Sequence, residues 1–143
     1  VGTDDGRLVA VRPGAAKPVW ELPLPGEAVA EQIVRAEGAV LVRTHDHRLL
    51  LVDLREGSLR AEVSIDGRIV SGPVVRDGGG GGLEAVVVTR AEGAHHDVLR
   101  AFGTSDLEPA WLYQDGGEFA GAPTALGHEV FLPGSSGEVL RLR

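Results

Sequence analysis

Short apolar runs alternate along this chain with polar turns rich in Gly, Asp and Pro, and four of these turn-plus-run units match one another. They are Asp5-Gly6-Arg7-Leu8-Val9-Ala10-Val11, Asp46-His47-Arg48-Leu49-Leu50-Leu51-Val52, His96-Asp97-Val98-Leu99-Arg100-Ala101-Phe102 and Ser136-Gly137-Glu138-Val139-Leu140-Arg141-Leu142. With Leu8, Leu49, Leu99 and Val139 aligned, the units step by 41, 50 and 40 residues. Twelve residues beyond the first three stand Trp20, Ala61 and Trp111, and twelve beyond those stand Gln32, Pro73 and Pro123. The longer middle step comes from about nine extra residues between Pro73 and Leu99. The glycine run 78–82 and the stretch 92–96 can hold them as loops, which leaves the strands in register.

A repeat of about 40–45 residues with four short strands is the unit of a β-propeller, one blade per repeat. With strands A to D counted outward from the channel, blade two predicts A near 30–36, B near 39–44, C near 48–54 and D near 59–65. Blade three predicts A near 69–76, B near 84–90, C near 98–102 and D near 109–114. Blade four predicts A near 119–126, B near 128–132 and C near 138–142, and blade one the tail of B at 1–3, then C and D. The expected fold is therefore all-β, a partial β-propeller of four-stranded antiparallel blades with two full blades and two partial ones. The stretch 26–38 is the one helical candidate; it is read as a linker followed by strand A.

Composition fits this picture. Apolar residues make up 43% of the 143 positions but aromatics only 4%, so Val, Leu and Ala must fill the core. Twenty-one glycines and eight prolines suit many tight turns. Cysteine is absent, which excludes disulfides, thiolate metal sites and cysteine nucleophiles. No apolar run reaches the eighteen residues or so of a membrane span, and no signal-peptide pattern is present. The net charge of −7 disfavours a phosphate-backbone partner, and Lys17 is the single lysine among fourteen basic residues.

Val1-Gly2-Thr3-Asp4-Asp5-Gly6-Arg7-Leu8-Val9-Ala10-Val11, followed by Pro18-Val19-Trp20-Glu21, resembles the blade of the pyrroloquinoline-quinone-type (quinoprotein-like) propellers. The second copy, Leu51-Val52-Asp53-Leu54-Arg55-Glu56-Gly57-Ser58-Leu59-Arg60-Ala61, keeps the family's Asp and its turn glycine Gly57 but has Ala61 in place of the tryptophan. Ser71-Gly72-Pro73-Val74-Val75 is similar to the family's strand A opening, and the resemblance covers almost the whole chain. It implies a propeller in which Trp20 and Trp111 pack between adjacent blades. Many members lack the quinone and act as binding platforms, in envelope assembly or as sensors attached to kinases. Residues 76–88 resemble instead the integrin-type (FG-GAP) repeat, whose loop carboxylates bind calcium. Here glycines replace most of those carboxylates, and Asp77 and Glu84 cannot supply the six to eight oxygens calcium takes.

Candidate chemistry is sparse. His45 and His47 flank Asp46 in one B–C turn, and His95 and His96 precede Asp97 in the matching turn of blade three. Zinc needs three or four ligands converging at about 2 Å, which turns on neighbouring blades do not provide, so no metal and no cofactor is assigned. The serines lack a nucleophile elbow, and the glycine run lacks the Lys-Ser/Thr of a phosphate loop. Asp4-Asp5 leads into the tight hairpin that Gly6 marks, and its two carboxylates point apart. A quinone-dependent dehydrogenase would need a full ring and a calcium cluster.

The expectation is a non-catalytic propeller module for protein or peptide binding and scaffolding, with no nucleic-acid partner and no membrane insertion by this segment. Its binding face is expected at the B–C turns and D–A links: Asp4, Asp5, Arg43, His45, Asp46, His47, His95, His96 and Asp97. The alternatives are a ligand-sensing domain of a larger signalling protein or a remnant of a quinone-dependent dehydrogenase. A periplasmic or extracellular location is favoured over a cytoplasmic one. Residues 1–143 are expected to form one partial propeller domain belonging to a larger ring, or to close a ring with a second copy, since propellers need four to eight blades.

Overall fold

The computed structural model describes residues 1–25 and 30–143, so the first four residues of the linker expected at 26–38 fall outside the described residues. Regular structure in the described residues consists of strands. β1 (Arg7–Ala10) and β2 (Trp20–Pro23) form a two-stranded sheet. β3 (Ala30–Ala36), β4 (Ala39–Thr44), β5 (Arg48–Asp53) and β6 (Leu59–Ser64) form a four-stranded one. β7 (Arg68–Asp77), β8 (Leu83–Arg90), β9 (Val98–Gly103) and β10 (Pro109–Tyr113) form a second. β11 (Thr124–Leu126), β12 (Glu129–Pro133) and β13 (Val139–Leu142) form a three-stranded sheet. Every sheet is an antiparallel meander in chain order, as a propeller blade is.

Packing explains the apolar runs. In β5, Leu49, Leu50, Leu51 and Val52 are all fully buried, although successive side chains of a strand face opposite ways. Leu49 and Leu51 join Leu41, Val87 and Phe102 in a core between blades two and three. Leu50 and Val52 join Val42, Leu8 and Leu24 in a core between blades one and two. Burying each is worth about 1.5–3 kcal/mol before ordering entropy is counted. β8 works the same way: Val87 faces blade two, while Val86 and Val88 face Val130 and Leu132 of blade four.

A clamp at each of the first two blade junctions completes the packing. Trp20 on β2 lies against Gly57 in the turn after β5 and donates its indole N–H to the Leu54 carbonyl at 3.0 Å. A Cβ at Gly57 would run into the indole, and the residue has φ +67°, so only glycine sits there without strain. The next junction inverts the sizes. Ala61 replaces the tryptophan, and the position matching Gly57 is Leu107, 3% exposed and part of the core against which Ala61 packs. Both turns close alike, with Gly57 N–H on the Asp53 carbonyl (3.0 Å) and Leu107 N–H on the Gly103 carbonyl (2.9 Å). Leu107 even keeps the left-handed backbone, at φ 60°.

Trp111 packs in the core between blades three and four. Its N–H donates to Glu84 Oε2 at 2.8 Å, and the Arg76 guanidinium lies over its ring, 4.8 Å from the centroid. The same Glu84 pairs with Arg76 at 2.8 Å, so the acid of the calcium-like motif is committed to this network. The glycine run closes as a turn, with Gly78 N–H on the Gly82 carbonyl at 2.7 Å.

One expected strand is corrected. Strand A of blade four was expected over 119–126 but is regular only over Thr124–Leu126, with an isolated bridge between Phe119 and Gly134. Pro123 has no N–H for a ladder and Gly121 adds no side chain to pack, so the strand forms late. The expected tail of B in blade one is likewise a single bridge, Gly2 to Leu8.

Candidate binding face

B–C turns and D–A links are joined by hydrogen bonds on one face of the arc. The Ile65 N–H, just past β6, donates to the His47 carbonyl at 3.1 Å, and the Leu24 N–H, just past β2, donates to the Gly6 carbonyl at 2.8 Å. The A–B and C–D turns pair on the opposite face, where Leu54 N–H reaches Gly38 O (3.2 Å) and Thr104 N–H reaches Leu83 O (3.0 Å).

Two B–C turns carry the same four-residue ionic network. In blade one, Arg7 Nε donates to Asp5 (2.9 Å), Arg7 Nη1 to Glu21 (2.7 Å), and the Thr3 hydroxyl to Asp5. In blade two, Arg48 Nε donates to Asp46 (2.8 Å), Arg48 Nη1 to Glu62 (2.8 Å), and the Thr44 hydroxyl to Asp46. Thr3, Asp5, Arg7 and Glu21 each lie 41 residues before their counterpart, so the network is part of the repeat. Arg48 Nη2 also reaches the Pro25 carbonyl at 2.6 Å. Bonds from Arg7 and then Thr3 hold the Asp5 carboxyl below its usual range. For Asp46, burial alone would push the carboxyl up, but the bonds from Arg48 and Thr44 outweigh it and the net direction is down. Asp5 and Asp46 thus pin their own turns. The signal that would have revealed this is Thr-x-Asp-x-Arg with a glutamate fourteen residues after the arginine, present twice.

Other expected face residues divide into two groups. Asp4, His45 and His95 are exposed, and His96 is half-buried. Arg43 turns toward strand A of blade three, where its Nη1 donates to the Gly72 carbonyl at 3.0 Å and its Nη2 pairs with Glu31 at 3.1 Å. His47 and Asp97 occupy the same register position and act as latches. His47 Nδ1 accepts the Ile69 N–H at 3.3 Å, and Asp97 Oδ2 accepts the Phe119 N–H at 2.9 Å, twenty-two residues on in each case. Asp97 was expected on the solvent face, and this is corrected: it is fully buried. The reason is that Arg90 binds it in fork geometry, at 2.7 and 3.1 Å, and Arg90 also pairs with Glu118 at 3.1 Å. Burial would raise the Asp97 carboxyl, but the Arg90 and Phe119 bonds and the charges of Arg90 and Arg68 lower it overall. Among the described residues no three His, Asp or Glu side chains gather as a metal site.

Between the two latched turns lies a cavity of about 440 Å³, lined by His47, Gly67, Arg68, Arg90 and the loop residues 91–94. Gly67 has φ +93°, and a Cβ there would meet the Arg90 backbone. The Gly67→Ala variant is therefore expected to lose about 2 kcal/mol, the sum of αL strain and steric overlap, read from urea unfolding.

Sequential antiparallel meanders of up to four strands, cores buried between neighbouring sheets, and loop clamps at the first two junctions define the class: a partial β-propeller of quinoprotein-like blades. The chain belongs to the family described as outer membrane protein assembly factor BamB, whose model matches residues 4–143. Among solved structures it is similar to BamB from Moraxella catarrhalis, at 17% identity and a TM-score of 0.71, covering 99% of this chain and 44% of that one. It is also similar to the β-propeller domain of Cps50 (Swd1) from Myceliophteria thermophila, at 12% identity and a TM-score of 0.65, covering 99% of this chain and 49% of that one. The chain thus spans about half the length of these neighbours. A comparison with curated proteins finds none that matches it.

Proposed function

We propose that this chain is an arc of a larger propeller that binds a protein segment on the face of the B–C turns and D–A links, as a scaffold in the assembly of outer-membrane proteins. The reading assigns it no catalytic step and places its work in the cell envelope. The observation that carries it is the cavity on that face, lined in part by the exposed side chains of Arg68 and Glu92. Family membership and the match to about half of a larger propeller support it. Ligand sensing is the second reading, because about 440 Å³ also falls within the range of small-molecule pockets.

The test compares two triple variants for capture of envelope proteins. Asp4→Lys/His45→Glu/His95→Glu alters the proposed face, and Glu37→Lys/Arg55→Glu/Glu56→Lys alters the opposite one. The first set is expected to weaken capture about tenfold or more and the second to leave it within about twofold, since rim charges act through steering and local pairing. Equal loss from both sets, or from neither, would overturn the assignment of the face.

A further inference from the structure

We infer that the cavity between blades two and three is a carboxylate site that takes an acidic side chain of a bound protein segment. The inference rests on the proposed binding face and names the chemistry recognised there.

The first support is where the repeat breaks its own pattern. The Thr44 hydroxyl accepts the Arg48 N–H and the Thr89 hydroxyl donates to the Val98 carbonyl, both at 3.1 Å, so in each blade the threonine ties to the residue that closes its turn. The first turn has three residues between those ends and the second has eight, so five are added in blade three. Four of the residues in that longer loop, 91–94, form one wall of the cavity. Extra residues that leave the strands in register are free of a packing role, and in repeat proteins they cluster on the face that binds.

The second support is the room left by small residues. Gly67, Ala91, Gly93 and Ala94 make up half of the lining. Gly67 lies close against the Arg90 and Ala91 backbone, where a Cβ would clash, so the floor there is made of backbone. A single carboxylate side chain and the peptide that bears it fit in such a volume.

The third support is the polarity of what remains unspent. The His47 Nδ1 accepts from Ile69, so the neutral ring carries its hydrogen on Nε2, on the other edge of the imidazole. Arg90 is occupied by Asp97 and Glu118. Arg68 is exposed, feels Asp97 only as a charge at a distance, and is the lining cation left for a ligand. Arg68 and His47 thus present donors to one site, the pairing a carboxylate accepts. Glu92 is the one acid of the lining among the described residues, exposed on the added loop, and can pair with a basic neighbour of the entering acid. A protein segment brings both an acid and its neighbour, which favours it over a free anion.

Backbone amide NMR on this chain tests the inference. The probes are a blocked pentapeptide with a central Glu, the same peptide with Gln, and free succinate. Saturable shifts at the Gly67, Arg68, Gly93 and Ala94 amides are expected with the Glu peptide, with Gln binding about tenfold weaker or worse, as loss of a charged hydrogen bond requires. Arg68→Gln, an exposed change that leaves the remaining spectrum in place, is expected to weaken the Glu peptide by a similar factor. Equal binding of the Gln peptide, no saturable shift at millimolar peptide, or indifference to Arg68→Gln would overturn the carboxylate site. Succinate binding more tightly than the Glu peptide would overturn the protein segment as its source. Any of these results together with loss of capture in the face variants would leave the binding face standing and remove only its chemistry.

Discussion

Gly57→Leu lowers the stability of this chain by about 3 kcal/mol, from αL strain in a non-glycine residue and from overpacking against Trp20. Trp20→Ala alone costs a comparable amount, about 3 kcal/mol, through the cavity it leaves at the junction and the lost bond to Leu54. The double variant Trp20→Ala/Gly57→Leu loses far less than the sum, by about 2 kcal/mol, because the new leucine fills the space the indole vacates. The molecule already contains that solution one junction further on, where Ala61 packs on the core that holds Leu107. Equilibrium urea unfolding of the four proteins completes the cycle. Strict additivity would show that the two residues do not act as one clamp.

The second large effect is at Asp97. Asp97→Ala costs about 3 kcal/mol, because it leaves the Phe119 N–H and a buried part of the B–C loop without their acceptor. Its pH signature has a definite sign. The folded carboxyl is held below its unfolded value, so above the unfolded value of about 3.9 its contribution is fully present. As pH falls through the folded value the contribution is lost, since the unfolded chain takes up its proton first. Asp97→Asn keeps the shape and removes the charge, so stability against pH should lose about one proton's worth of slope on the acid side. The slope does not vanish, because Asp5, Asp46, Asp53, Glu129 and Glu138 are also held low. An acid limb that is unchanged in Asp97→Asn would remove Asp97 from the account.

Much of the fold is readable in the sequence because the blades are meanders whose strands pack on both sides. A strand buried on both faces writes itself as an uninterrupted apolar run, and Leu49–Val52 and Ala85–Val88 are such runs. The bounds expected for β3 and β4 coincide with those observed. Blade four was less readable, since no apolar run marks where β11 begins. The face residues were harder still. A carboxylate beside a turn reads the same whether it meets solvent, an arginine two residues on, or a distant N–H. Asp5 and Asp46 meet the second, and Asp97 meets an arginine seven residues before it and an amide twenty-two residues after it. Only comparison of the copies separates these cases: Thr3, Asp5 and Arg7 against Thr44, Asp46 and Arg48, or His47 against Asp97. The change from Gly57 to Leu107 was within reach too, by stepping eight residues from Leu49 and from Leu99.

The unequal junctions bear on how a chain of near-copies avoids assembling in the wrong order. Tandem repeats are prone to misassembly because any blade can approach any other with similar strands. If blade one docked on blade three in place of blade two, Trp20 would meet Leu107, two bulky groups in one niche. The turn of blade two would then lie open around Gly57, with no ring to close it. The first junction thus accepts its own neighbour and rejects the next one along, so the docking of blade one is written in side-chain volume.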